Sequence, residues 1–476
     1  MSQFKKFDRD AALTDPGLAN LYYTMTELAK EFAILGQIET AKSLTSLLLS
    51  EYASDWQLTQ FRFLKFAFAE TNQWPEQIRE EDRTEEKLSE IRVQEVTDLG
   101  EEDNALDDLA RLKKLLKLAE PADPSGDAPM RVNRSGALGD ALSVAIRLAS
   151  EHTSSMQDIE ADARVQEVLG LIFKRMHERQ VIQYVSERRA NWPLLATGAL
   201  ARKIPVDMAK VEALATDVLE TFADRFKNGR KAHVGENKSI RELLEELERN
   251  TKKNSVDHYA EIGSPIPESL FRPPATDEQI LALEHRFETT LPDDYKEFLK
   301  ISNGFGRTWN GYYLDPPLFA VDDVDWAGVY VDGLPVELHD TPTGNMDLEL
   351  PGGREWPSYE KLLELGSEDV LDVWFLPPRE TKKVLAAYKE ALDSPDTPEL
   401  VKRQTRKQIT SRFGSWEAFQ NLEWVAMERH DIESVACGSF TQFLGERLRK
   451  SAMGVWQGEG ERTSACFAYS CMPDSA

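Results

Sequence analysis

LPDDYKEFLKISNG, residues 291–304, is a short helix whose start and stop are both legible in its sequence. Pro292 suits the first helical position, where no backbone donor is needed, and Asp293 and Asp294 place negative charge in the first turn, against the positive end of the helix dipole. Tyr295, Phe298, Leu299 and Ser302 follow at helical spacing, and Asn303-Gly304 supplies a terminus tolerant of positive φ. Just upstream, Thr276 and Gln279 have capping-box spacing, and Ile280, Leu283 and Phe287 line one stripe of a helix running to about Glu288. The prolines of GSPIPESLFRPPA, 263–275, make the lead-in extended rather than helical.

Downstream, GYYL (311–314), PLFAV (317–321) and VYV (329–331) read as short aromatic strands, and LDVWFLPP (371–378) as a further strand. SFTQFLGERL (439–448) reads as a closing helix, with Ser439 and Gln442 as a capping box and Phe440, Phe443, Leu444 and Leu448 as its buried stripe. This order of elements resembles the SUKH superfamily, known for fungal cell-wall-assembly regulators and for bacterial toxin-immunity proteins. The resemblance covers about residues 262–450. It implies an α+β domain, a sheet flanked by helices, over 256–452. Leu291, Pro292, Asp294, Tyr295, Phe298, Leu299, Asn303, Gly304, Trp374, Phe440, Phe443 and Leu444 then serve as core and cap residues and carry no chemistry of their own. The charged helical insertion near 379–430 departs from the compact family pattern. Its RFGSWEAFQNLEW stretch (412–424) is similar to long fungal members, which points to the Smi/Knr-type branch and implies a non-catalytic adaptor linking cell-wall assembly to growth or stress signalling.

Residues 1–250 read as an all-helical domain, either a degenerate α-solenoid or an irregular helical layer. Met25, Leu28, Phe32 and Leu35, then Ala41, Leu44, Leu48 and Tyr52 after Gly36, predict a helical hairpin resembling weakly a tetratricopeptide repeat, with no second copy at that period. Glu76–Glu120 is highly charged and reads as a solvated helix, with Leu109, Leu112, Leu115, Leu116 and Ala119 at helical spacing. The prolines and glycines of 119–136 mark an internal linker, after which helical patterning resumes and Val168, Ile172, Met176 and Val181 line a core. Seven of the ten tryptophans lie in the second half, which sets the domain boundary near 255; residues 453–476 form a tail.

With 83 acidic against 57 basic residues the formal charge is −26, which disfavours nucleic acid and anionic lipid as partners. Three cysteines, Cys437, Cys466 and Cys471, make no disulfide framework or zinc pattern, and no long apolar run or leader-like segment occurs. A cytoplasmic protein without membrane insertion is expected, so the Asn133 and Asn237 triplets are chance glycosylation matches. The seven histidines form no metal or triad pattern, and GFGRTWNG (304–311) lacks the third glycine and preceding strand of a dinucleotide loop. Asp322, Asp323 and Asp325 lack the closing Glu of a calcium loop. No catalytic, cofactor or metal residue is therefore assigned. Residues 301–400 hold 20 acidic and seven basic side chains, half of the net charge. A basic segment of a protein partner is the expected ligand of this region, with Trp309, Tyr312, Tyr313, Asp322, Asp323, Asp325 and Trp326 as candidate contacts. The rivals are an immunity-type protein masking a basic nuclease, an enzyme whose site is invisible as a motif, and a helical half that is itself the binding scaffold. Ser264, Thr341, Ser394 and Thr397 each precede proline and are candidate phosphate acceptors.

Overall fold

The computed structural model describes residues 7–51, 61–92, 107–120, 134–176, 179–203, 207–232, 234–328, 338, 348–358, 360–430 and 433–452. Two compact units divide the chain. Among the described residues, the first holds those before Thr14 and Asn20–Asn228; the second holds Thr14–Ala19 and those from Gly229 to Ala452.

The first unit is helical, as its periodicity requires. Helices Leu18–Ile34 and Ile38–Glu51 are separated by a turn in which Gly36 adopts φ +80. A side chain at Gly36 would meet the Gly198 backbone at 2.7 Å, so close approach and positive φ both demand glycine there. Met25, Leu28, Phe32, Leu35, Ala41, Leu44 and Leu48 are all buried; Tyr52 lies outside the described residues. The charged region contains helix Asp108–Ala119, which is less solvated than its composition predicts: Leu112 and Leu115 are buried and it packs along helix Arg134–Ser150. Asp107 caps that helix by accepting from the Ala110 N–H. Of the expected linker at 119–136, residues 121–133 lie outside the described residues, whereas Arg134, Ser135 and Gly136 are already helical. Val168, Ile172, Met176 and Val181 are buried core residues.

The second unit is α+β. A small hairpin, β1 (Thr308–Trp309) and β2 (Leu314–Asp315), precedes an antiparallel sheet of β3 (Asp325–Trp326), β4 (Leu363–Glu368), β5 (Leu371–Leu376), β6 (Val425–His430) and β7 (Glu433–Cys437), paired in sequence order. Alternation along β5 separates two cores. Val373 and Phe375 face one side, with Leu363, Leu365, Ala426 and Cys437. Helices Asp277–Phe287, Asp293–Ile301 and Phe440–Ser451 cover that side through Leu283, Phe287, Tyr295, Phe298, Phe440 and Phe443. Trp374 and Leu376 face the other side, with Leu362, Val425 and Met427. There the expected helical insertion near 379–430 forms helices Pro378–Asp393 and Glu399–Phe413, which bury Val384, Tyr388, Ile409 and Phe413 over Trp374, whereas its end, Val425–His430, is strand β6 and not helix.

Several expectations at the residue level are revised. Helix Ile240–Asn254 buries Leu243, Leu244 and Leu247 in the same core as Phe298 and Phe440, so the division between units falls at Asn228/Gly229 and not near 255. The tryptophan count misplaced it because that helix contributes aliphatic residues, Ile240 and three leucines, and no tryptophan to a shared core. Of the expected strands, only Leu371–Leu376 is long. GYYL contributes just Leu314 to β2, and PLFAV makes one isolated bridge, Leu318 with Phe305, because Pro316 and Pro317 have no N–H to extend a ladder. VYV lies outside the described residues, as does the tail 453–476. Pro292 is the residue capping its helix and not its first helical residue.

Tyr388 sets the value of the second layer: it is fully buried, meets Trp356 at 4.7 Å and Phe419 at 5.3 Å, and its hydroxyl accepts from the Leu338 N–H at 2.8 Å. Tyr388→Ala is expected to lower stability by about 3–5 kcal/mol, whereas Leu281→Ala, at an exposed helical position, stays within about 0.5 kcal/mol. Urea midpoints of the two variants check this; equal midpoints would show that the layer adds nothing to the sheet.

Candidate functional site

The turn Val321–Asp323 and strand β3 bring together three exposed acidic side chains, Asp322, Asp323 and Asp325. The turn is closed by the Asp323 and Val324 N–H groups, both donating to the Ala320 carbonyl, at 2.9 and 3.2 Å. Two side chains from outside it then fix its position. Arg286, on helix Asp277–Phe287, donates to the carbonyls of Val321 (2.8 Å) and Val324 (2.7 Å), and Asn303 accepts from the Val321 N–H at 2.8 Å. Val321 and Val324 are buried, which turns Asp322, Asp323 and Asp325 outward. Among the described residues neither Asp322 nor Asp323 makes an ion pair. Their charge therefore stays available to a ligand.

Trp326 stands beside this turn on an edge strand. Its ring meets Phe287 edge-on at 5.0 Å, and the Lys361 ammonium lies 5.1 Å from the ring centre, so one part of the indole is anchored while the residue stays partly accessible. The Asp325 carboxylate accepts from the Trp326 N–H at 2.7 Å. Because the Ala327 N–H points inward to Leu362 at 2.9 Å, the Trp326 N–H is the alternate, outward donor of the strand, and Asp325 masks it. Asp325 thus has a structural task besides its charge.

The remaining candidate contacts are placed elsewhere. Trp309 is 2% exposed, packs with Tyr259 and Leu314, and its N–H donates to Thr251 Oγ1 at 3.0 Å, so it is a core residue and not a surface anchor. Tyr312 and Tyr313 sit on the β1–β2 turn, where Asn310 Oδ1 accepts from both of their N–H groups at 3.0 Å; Tyr312 is 40% exposed and Tyr313 half-buried. The candidate surface reduces to Asp322, Asp323, Asp325 and Trp326. The motif residues Leu291, Tyr295, Phe298, Leu299, Trp374, Phe440, Phe443 and Leu444 are all buried. Gly304 has φ +89, and Asp294 does more than complement a dipole: its carboxylate accepts from the Thr441 N–H at 2.9 Å and so joins its own helix to the start of the closing helix.

A buried charge network underlies the hairpin, and sequence spacing gave no hint of it. Arg447 on the closing helix contacts Glu428 of β6 at 3.2 Å, lies 3.9 Å from Asp315 of β2 and donates to the Pro316 carbonyl at 3.1 Å; Lys450 pairs with Glu428. Asn310 donates to Asp315 at 2.7 Å. Burial first, then the Glu428 charge, pushes Asp315 up to about 6, against the opposing pull of Arg447 and Lys450. Burial works against ionisation of Glu428 as well, but Lys450 and Arg447 beside it hold it down to about 2. Burial pushes the Cys437 thiol up to about 12, which leaves it protonated and unreactive. Cys466 and Cys471 lie outside the described residues. Among the described residues no group of three His, Cys, Asp or Glu side chains is placed to hold a metal, and no helix is long and apolar enough to cross a membrane.

The comparison with known families agrees with this architecture. Residues 274–383 match the model of the SMI1 / KNR4 family (SUKH-1). The second unit carries a SUKH-type domain. The match begins just ahead of the capped helix Asp277–Phe287 and ends within helix Pro378–Asp393, so β6, β7 and the closing helix, which complete the sheet and its core in this chain, lie beyond it. No curated protein and no solved structure matches the chain.

The charge network predicts a pH dependence. Between pH 3.8 and about 6 the folded state keeps a proton on Asp315 that the unfolded chain has released, so the stability this group contributes is lost as pH rises through that window. Glu428 acts oppositely: its contribution is present above pH 4.5 and is lost as pH falls towards about 2. Asp315→Asn is expected to remove the first of these slopes and leave the second. Urea midpoints measured from pH 3 to 7 decide it; an unchanged profile in the variant would contradict the assignment to Asp315.

Proposed function

We propose that the protein is a non-catalytic protein-binding adaptor whose SUKH-type domain takes a basic segment of a partner on the surface formed by Asp322, Asp323, Asp325 and Trp326. The observation that carries this reading is the acidic turn itself. Arg286 and Asn303 hold it in place by its backbone, while Asp322 and Asp323 point outward without cationic partners among the described residues. Preorganised charge of this kind raises the association rate and selects cationic partners, and an adjacent anchored indole adds apolar contact area. The helical first unit would supply a second contact surface, so that two modules on one chain reinforce each other.

The resemblance of the 379–430 region to long fungal members sets the proposed context: a cytoplasmic regulator that couples cell-wall assembly to growth or stress signalling in a fungus. The SMI1 / KNR4 match over 274–383 is compatible with that role.

The test compares partners captured from native cells by the full-length protein and by Asp322→Lys/Asp323→Lys, which leaves the Asp325 cap intact. At low salt the variant is expected to lose at least about tenfold in affinity for the captured partner, roughly 1.4 kcal/mol or more, and wild-type binding is expected to weaken steeply with added salt. An identical set of partners held with equal affinity by both proteins would overturn the proposed surface.

A further inference from the structure

We propose that Ser264 is a phosphorylation site for a proline-directed Ser/Thr kinase. Four hydroxyl residues precede proline in the chain, and the fold distinguishes among them. Thr397 is buried and its hydroxyl donates to the Ala391 carbonyl at 2.7 Å. Ser394 is buried as well, and its hydroxyl accepts from the Asp396 N–H at 3.2 Å, within the link between the two helices that cover Trp374. Neither can enter a kinase cleft without unfolding that layer. Thr341 lies outside the described residues.

Ser264 has the opposite setting. Helix Val256–Glu261 ends at Gly263, φ +66, with the Ser264 N–H donating back to the Tyr259 carbonyl at 3.0 Å. The chain then leaves the helix, and Ala260 to Ile266 are exposed without interruption. Pro265 and Pro267 have no N–H to give to a ladder and hold the residues before them in extended conformations, the backbone form in which a peptide lies in a kinase groove. Ile262 and Ile266, 44% and 37% exposed, flank the serine and offer apolar contacts. Beyond the arch the chain is fastened again, where Glu248 accepts from the Ser269 hydroxyl at 2.9 Å and the Leu270 N–H at 2.7 Å. The serine is thus displayed on a short extended arch between two fixed points.

In the transfer, the Ser264 hydroxyl oxygen bonds to the γ-phosphorus of ATP, the bond from that phosphorus to the β–γ bridging oxygen breaks, ADP departs and the hydroxyl proton passes to the kinase's base. The product places a dianion near exposed Glu261 and Glu268 and makes the arch locally more acidic.

Full-length protein, first treated with phosphatase, would be incubated with a purified active proline-directed kinase and ATP, and the phosphate located residue by residue by mass spectrometry. The expected result is modification at Ser264, at least tenfold slower incorporation in both Ser264→Ala and Pro265→Ala, and labelling of Ser394 and Thr397 only after urea unfolding. Incorporation by folded Ser264→Ala or Pro265→Ala at the wild-type rate, or folded protein modified mainly at Thr341, Ser394 or Thr397, would overturn the proposal. Unchanged circular dichroism of the variants confirms that a lost signal reflects the site and not the fold.

Discussion

The second unit is organised around four aromatic rings brought together from three separate parts of the chain. Tyr295 and Phe298 come from helix Asp293–Ile301, Phe375 from the central strand β5 and Phe440 from the closing helix. Tyr295 lies edge-on to Phe375 at 5.1 Å and to Phe440 at 5.0 Å, and Phe298 meets Phe440 at 4.9 Å. Edge-to-face contacts of this kind hold orientation as well as apolar area, so the cluster fixes how two helices sit on the sheet. The Asp294–Thr441 hydrogen bonds reinforce it by using one helix start to cap another. Because helix Asp277–Phe287 leads directly into this junction, the placement of Arg286, and with it the acidic turn, follows from the aromatic cluster.

The region between β5 and β6 supplies the outer layer of a three-layer structure. Without helices Pro378–Asp393 and Glu399–Phe413, Trp374, Leu376 and Met427 would present an apolar sheet face to water. A surface of that kind invites association. The same region also protects a sheet edge, since Arg412 donates to the Ala436 carbonyl of β7 at 3.2 Å. At the opposite edge Asp325 masks the outward N–H of Trp326. One backbone group at each margin of the sheet is thus taken by a side chain, which works against strand addition at those points.

Much of the candidate site was legible because its signals are local. Acidic residues at 322, 323 and 325 need only a turn to be exposed, and Thr276–Gln279 needs only a helix start to form its reciprocal cap. The assignments that required distance information fared differently. Trp309 has the composition of a surface anchor but lies under the hairpin, where Thr251, 58 residues away, takes its N–H. At Ser439 the spacing correctly marked the cap, yet the Gln442 side chain turns to the Gly438 N–H and the Arg412 carbonyl instead of completing the box, because the neighbouring helix offers it a second partner. The network of Asp315, Glu428, Arg447 and Lys450 has no sequence signature at all, since its members are joined only by strand pairing and helix packing.

The sequence by itself determined the element types: helical periodicity before Gly229, the two capped helices at 277–301, the apolar strand 371–376 and the closing stripe at 440–448. These follow from interactions within a few residues, caps, dipoles and side-chain period, which any chain segment carries with it. Only the tertiary structure decided which apolar residues share a core, that helix Ile240–Asn254 belongs to the second unit, that the charged insertion covers Trp374, and that of the serines and threonines preceding proline at 264, 394 and 397 only Ser264 stands exposed. Burial is a property of contacts between distant segments. It depends on pairing register and packing rather than on spacing, and for that reason no local pattern encodes it.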